Sequence, residues 1–230
     1  VTSPPRILLA GASGLVGARI LRRLLDAPGA PWVLAPVRRP LDVSSRRLTV
    51  LQADLADAGQ DGLLAARLRE LTPKLDAYVC ALGTTIKRAG SREAFLAVDR
   101  DLVLRLATLA HDLGARHAIL VSSVGASAQS GNFYLRVKGE TERTLADLGF
   151  ERVDFLRPGL LLGDRAESRT GEAIAKALTP LTNPLLRGPL QRYRGIAADD
   201  VAAAAVALLD QHAPGRHVHE NAGLVALARP

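Results

Sequence analysis

Tyr134 and Lys138 stand four residues apart in Tyr134-Leu135-Arg136-Val137-Lys138, a spacing that puts both on one face of a helix. An ammonium close to a phenol lowers its pKa from about 10. A phenol so tuned gives a proton to a carbonyl oxygen, or takes one from an alcohol, near neutral pH. Upstream, the apolar run Ala118-Ile119-Leu120-Val121 ends on Ser122-Ser123, and either hydroxyl is suited to hold the substrate oxygen. The same Tyr and Lys spacing arises by chance in many helices, so its meaning depends on what else the chain supplies.

What else it supplies begins at residue 6. The run Ile7 to Ala10 reads as a strand, Gly11-Ala12-Ser13-Gly14-Leu15-Val16-Gly17 as a glycine-rich turn, and Leu15, Ile20, Leu21, Leu24 and Leu25 as a helical stripe. In such a unit Gly11 makes the tight turn, Gly14 lets the backbone approach a pyrophosphate, and Gly17 lets the helix pack close to the strand. Amides at the helix start, at its positive dipole end, then hold the phosphates. The bland alternative is a turn that is glycine-rich for steric reasons alone.

The second strand, Trp32 to Val37, runs directly into Arg38-Arg39-Pro40. In a dinucleotide fold this is where an acid accepts from the ribose 2′-hydroxyl of NAD, or an Arg accommodates the 2′-phosphate of NADP. Arginines there favour NADP(H) over NAD(H), against the plain reading of two charges solvating a loop. A third strand, Leu48 to Ala53, ends at Asp54, which suits either an adenine amino group or a helix cap. A fourth, Asp76 to Leu82, is closed by Gly83, where the absence of a side chain lets the backbone run along a cofactor; Cys80 within it reads as packing.

These units must be positioned by a sheet. Residues 91–112 give one long helical pattern, with Ser91 as cap, Phe95, Val98, Leu102, Leu106 and Leu109 at helical steps, and Asp99 and Asp101 within it. Arg152 to Leu156 gives a sixth strand, and Ala198-Asp199-Asp200 caps a final Ala-rich helix. Alternating strands and helices predict an α/β fold, a doubly wound, mainly parallel Rossmann sheet with ligands beyond the carboxyl ends of the strands. One domain spanning 1–230 is expected, with a short C-terminal substrate lid at about 163–196 carrying Arg165, Arg169, Arg187, Arg192 and Arg194. His217 and His219 lie two apart on a probable strand near Glu220; with no third ligand, no metal is expected.

Composition narrows the function classes. The formal charge of +7 is scattered rather than gathered in an arm, and aromatics are only 3%, which argues against nucleic acid. Cys80 is the single cysteine, the first residues lack a charged-then-apolar leader pattern, and no apolar run reaches a membrane span of roughly 18 residues. A cytoplasmic protein with no membrane contact is the expectation.

Taken together, the chain resembles the short-chain dehydrogenase/reductase superfamily, in its atypical and extended, epimerase-like branch. Within that branch it is most similar to the Tat-interacting-protein oxidoreductase group and its small bacterial relatives. The likeness is carried by Gly11 to Gly17, Leu82 to Thr85, Val98 to Asp101, Ser122-Ser123, Asn132 to Glu140 and Arg157 to Arg165. It implies that Ser13, Gly14, Leu15 and Val16 touch the cofactor phosphates, that Arg38 and Arg39 touch the 2′-phosphate, and that Leu82 and Gly83 lie along the cofactor. It makes Tyr134 the acid/base residue with Lys138 on the nicotinamide ribose, and Leu161 and Arg169 late cofactor contacts. The implied activity is NADP(H)-dependent oxidoreduction of an unidentified small molecule. Two other readings stand beside it: a cofactor-binding regulator or scaffold with a protein partner, and a nucleotide-sugar epimerase or dehydratase. The likeness also makes a homodimer through helices 92–112 and 132–148 an expected arrangement.

Overall fold

The computed structural model describes residues 4–53, 62–163 and 188–229. Asp54, Arg165, Arg169 and Arg187 fall outside them, as does most of the expected lid. The strands are β1 (Arg6–Ala10), β2 (Trp32–Val37), β3 (Leu48–Gln52), β4 (Ala77–Cys80), β5 (His117–Val121), β6 (Arg152–Arg157), β7 (Leu161–Leu162), β8 (Ile196–Ala197) and β9 (Gly215–Glu220). Seven of them form one sheet in the order β3-β2-β1-β4-β5-β6-β9, and every pairing is parallel. The Rossmann-like α/β fold expected from the sequence is the fold observed.

Both faces of the sheet are covered, which is why its central strands read as unbroken apolar runs. Along β1, Leu8 and Ala10 enter one core and Ile7 and Leu9 the other, as the period of two requires. The first core is filled by α2 (Leu63–Leu71), α5 (Val103–Asp112) and α6 (Phe133–Ala146), through Leu64, Leu68, Leu106 and Leu145. The second is filled by α1 (Gly17–Asp26), α7 (Ala198–Leu208) and α8 (Asn221–Leu227), through Ile20, Leu24, Val201, Leu208 and Leu224.

Three features depart from the sequence pattern. The stretch 91–112 is not one regular helix. After the single turn α3 (Ile86–Ala89), Ser91 does cap it, its Oγ accepting from the Ala94 N–H, but α4 (Arg92–Leu96) gives way to a π-helical segment, Ala97–Leu102, before α5. The wider turn takes up an extra residue and re-aims the side chains within it. Next, α7 begins at Ala198 without a side-chain cap; Asp199 and Asp200 lie in its first turn, where they complement the helix dipole. It is also not the last helix, since α8 follows β9.

Within the sheet one buried carboxylate joins three of its strands. Asp154 in β6 accepts from Arg152 Nε at 2.6 Å and Nη2 at 2.9 Å, from His117 Nε2 of β5 at 2.7 Å, and from His219 Nε2 of β9 at 2.6 Å. His219 is thereby tied to Asp154, whereas the half-buried His217 faces the Ala213 carbonyl at 3.3 Å. The two histidines therefore do not converge on a common point. Among the described residues no group of three His, Cys, Asp or Glu side chains could hold a metal ion.

Burial by itself would raise the Asp154 pKa, but donation from His117, His219 and Arg152 outweighs it and holds the carboxyl well below the usual range. A carboxylate held below its unfolded-state pKa adds stability above about pH 4 and loses it as pH falls. Asp154→Asn is therefore expected to cost about 3–5 kcal/mol at neutral pH, because it leaves Arg152 buried and uncompensated. Urea unfolding should show this, with a shallower further loss for the variant than for the parent in acid.

Candidate functional site

The site begins where β1 ends. Gly11 takes φ 84°, its carbonyl accepts from the Gly14 N–H at 2.9 Å, and the chain enters α1 at Gly17. A Cβ on Gly11 would lie 2.6 Å from the Ala81 carbonyl carbon, and one on Gly17 2.0 Å from the Gly11 oxygen. The ends of β1 and β4 and the first turn of α1 are packed so closely that side chains at these points are excluded. The first and third glycines of the fingerprint thus meet their steric requirement.

Beyond this junction lies a cleft of about 550 Å³ at the carboxyl ends of the strands. One wall is the loop Ser13, Gly14, Leu15 and Val16, and another is the segment Ala81 to Thr85 after β4. Ser122, from the end of β5, and Tyr134 and Lys138, from α6, form a third, and Leu161 of β7 closes it. Leu161 is held by pairing of β7 with β8. The approach to that strand is clamped by Asn221, whose Oδ1 accepts from the Gly159 N–H at 3.0 Å while its Nδ2 donates to the Arg194 carbonyl at 2.6 Å.

The helix bearing Tyr134 and Lys138 is placed by local chemistry and by packing. Asn132 caps it, its Oδ1 accepting from the Leu135 N–H at 3.2 Å. A Cβ on Gly139 would sit 2.2 Å from the Ser127 carbonyl carbon, so α6 lies directly against the loop after β5. Tyr134 packs on the buried Phe95 ring, with centroids 5.7 Å apart.

Lys138 is only 4% exposed and its Nζ lies 2.8 Å from Oδ1 of Asp99, itself 1% exposed and set in the π-helical segment. The other oxygen, Oδ2, accepts from the Thr84 N–H at 2.8 Å. Burial alone would lower the Lys138 pKa, but the nearby charges of Asp99 and Tyr134 outweigh it and the net shift is upward. The ammonium is thus held charged beside the phenol.

A family description, NAD(P)H-binding, matches residues 11–212 of the sequence. The chain belongs to this family. Its cleft, built on the glycine turn and the strand ends, lies where such a fold binds its dinucleotide. Protein fmp52, mitochondrial, of Aspergillus fumigatus is 36% identical over 96% of this chain and 88% of that protein. Protein HTATIP2 of Rattus norvegicus is 37% identical over 74% of this chain and 68% of that one. In fold, the ligand-free aldohexose dehydrogenase of Thermoplasma acidophilum superposes with a TM-score of 0.71, covering 97% of this chain and 94% of that one at 16% identity. The chain is thus an NAD(P)H-binding protein with a Rossmann-like fold. Among the described residues no helix is long and apolar enough to cross a membrane.

Within this family framework the geometry separates neighbours that the sequence left equal. Ser122 lines the cleft; Ser123 does not, and its Oγ turns to the Val124 carbonyl at 3.4 Å. Arg39 lines the cleft and Arg38 does not, while Leu82 and Gly83 both do. Asp99, Thr84, Arg19 and Arg88 also line it, and sequence reasoning gave none of them a role. Asp99 left a signal: an acid set among Phe95, Leu102 and Leu106 on an apolar helical face is a buried charge in need of a cation. Arg19 and Arg88 carried no comparable mark.

Ser122 Oγ is buried and has no hydrogen-bond partner among the described residues. Leaving a hydroxyl so costs stability unless a ligand meets it. Ser122→Ala is therefore expected to leave the unfolding free energy unchanged within about 0.5 kcal/mol or to raise it, as checked by urea denaturation of the ligand-free protein.

Proposed function

We propose that the chain is an NADP(H)-dependent oxidoreductase acting on a carbonyl or alcohol carbon, with Tyr134 as acid/base, Lys138 on the cofactor ribose and Ser122 on the substrate oxygen. The observation that carries this reading is the meeting of the unpartnered Ser122 hydroxyl, Tyr134 and Lys138 in one cleft with the phosphate loop. Bound NADP(H) supplies or accepts the hydride. The side chains do the rest: Ser122 donates to the substrate oxygen, Tyr134 exchanges its proton with that oxygen, and Lys138 keeps a positive charge beside the phenol.

The preference for NADP(H) rests on charge. Arg19, Arg39 and Arg88 line the cleft, and its one acid among the described lining residues, Asp99, is paired with Lys138. Arg19 also reaches Asp199, 3.9 Å away, which leaves Arg39 and Arg88 to add positive charge to the cleft. A dinucleotide bearing a 2′-phosphate brings about four negative charges at neutral pH, which this excess suits better than the two of NAD. We assign the 2′-phosphate to Arg39, at the end of β2. A cytoplasmic setting is part of the proposal, although the fungal relatives are named mitochondrial.

Calorimetric titration with NADPH and NADH tests the cofactor. Arg39→Ala should weaken NADPH by roughly tenfold to a hundredfold, the loss of a charge-assisted contact, and leave NADH nearly unchanged. Equal weakening of both would remove Arg39 from the phosphate. Tyr134→Phe should abolish NADPH oxidation by a panel of carbonyl compounds while holding NADPH affinity within a few-fold. If no carbonyl compound oxidises NADPH in the parent protein, the oxidoreductase reading gives way to a cofactor-binding regulator. Turnover with the cofactor regenerated and never released would mark an epimerase.

A further inference from the structure

The buried ion pair inside the cleft wall goes beyond what that reaction requires. A lysine that only binds a ribose and acts on a phenol needs no carboxylate. Here one is supplied from a different element, and three further contacts fix where it sits. Asp99 Oδ1 lies 2.8 Å from Lys138 Nζ, and Oδ2 accepts from the Thr84 N–H at 2.8 Å. The Thr141 hydroxyl shares its one hydrogen between the Val137 carbonyl at 2.8 Å and the Asp99 carbonyl at 3.2 Å. Thr141 lies one turn along α6 from Lys138, so the acid is joined to that helix by side chain and by backbone.

The acid of this pair is carried by the π-helical segment. Asp99 falls inside Ala97–Leu102, where the wider turn re-aims side chains relative to a regular helix. The pair is closed off from water but not from the cleft. A Cβ placed on Gly83 would lie 3.5 Å from Asp99 Oδ1 and 3.7 Å from Lys138 Nζ, so this glycine of the cleft wall lies directly over the two charges.

We infer that Asp99 is a positioning residue for Lys138: its carboxylate holds the ammonium charged at one point of the cleft wall and, through Thr84, ties that point to the cofactor-lining loop after β4. The inference rests on the reading of Lys138 as the ribose-binding lysine. Asp99 touches neither substrate nor cofactor in this scheme and acts through the lysine. The charged and titratable groups facing Lys138 are Asp99 from the π-helical segment, Tyr134 from α6 and Cys80 from β4. Of these, Asp99 is the one that forms an ion pair with it.

A merely structural ion pair and a positioning one differ in what happens with pH when the carboxylate is removed. A buried amine without its counter-charge sheds its proton more easily, and an anionic ligand then binds less well as pH rises. The experiment uses the full chain and its Asp99→Asn and Asp99→Glu variants. The Lys138 13Cε resonance is followed through a pH titration without ligand, and NADPH affinity is measured by calorimetry at about pH 7 and about pH 9.5. In the parent protein Lys138 should not titrate below about pH 10, and NADPH affinity should be flat between the two pH values. In Asp99→Asn the midpoint should fall by at least about one unit, with NADPH affinity dropping roughly tenfold between them. Asp99→Glu should return both toward the parent behaviour.

A titration curve and an affinity profile in Asp99→Asn that match the parent would overturn the inference. So would a parent Lys138 midpoint below about pH 9.5, a result that needs no variant to fold. A parent chain that binds no NADPH would overturn the cofactor reading of the cleft, whereas the lysine titration, which uses no ligand, would still decide the role of Asp99.

Discussion

No side chain fits between the end of β1 and the end of β4, and the rest of the site depends on that exclusion. The backbone of Ala81 and Leu82 lies within 2.7 Å of where a Gly11 Cβ would stand. Because the strands meet this tightly, the chain leaving β1 turns at once, α1 starts above the sheet, and the segment after β4 runs along the opposite wall. A cleft opens between them at the carboxyl ends of a parallel sheet, where the crossovers leave the loops free to face a ligand. The same device recurs at Gly139, where close contact with the Ser127 backbone brings α6, and with it Tyr134 and Lys138, against the loop that carries Ser122.

Two buried carboxylates then organise the sheet and the cleft in different ways. Within β6, Asp154 has all its acceptor capacity taken up by Arg152, His117 and His219, so it binds the edge strand β9 into the sheet and has nothing left to offer a ligand. At the carboxyl ends Asp99 is shared between a backbone N–H and one lysine, and that lysine still borders the cleft. Buried ion pairs contribute little net stability compared with apolar packing, since desolvation offsets most of the attraction. What they fix is geometry, and here one fixes a strand and the other a functional ammonium.

The fold was largely legible because its signals are local. Apolar runs for strands buried on both faces, a glycine turn between strand and helix, and the Tyr and Lys spacing of α6 each follow from residues that are neighbours in the chain. What was missed depended on residues far apart. The π-helical segment reads as ordinary helix because its apolar stripe continues on either side of it. Helix α8 is only one turn and a half to two turns long, too short for a periodic pattern to stand out, and it is held by Leu224 in the core and by the Asn221 clamp to Gly159 and Arg194.

By itself, then, the sequence determined that a dinucleotide turn, a tyrosine with a lysine one helical turn away and a pair of serines at a strand end share one chain, because spacing and residue type are properties of the chain. Only the tertiary structure decided which serine and which arginine face the cleft: Ser122 rather than Ser123, and Arg39 rather than Arg38. Adjacent residues leave a strand end pointing in different directions, and the packing around them selects one. Tertiary structure alone also joined Asp99 to Lys138. A pairing between two helical segments depends on how those segments cross, and no spacing along the chain records that.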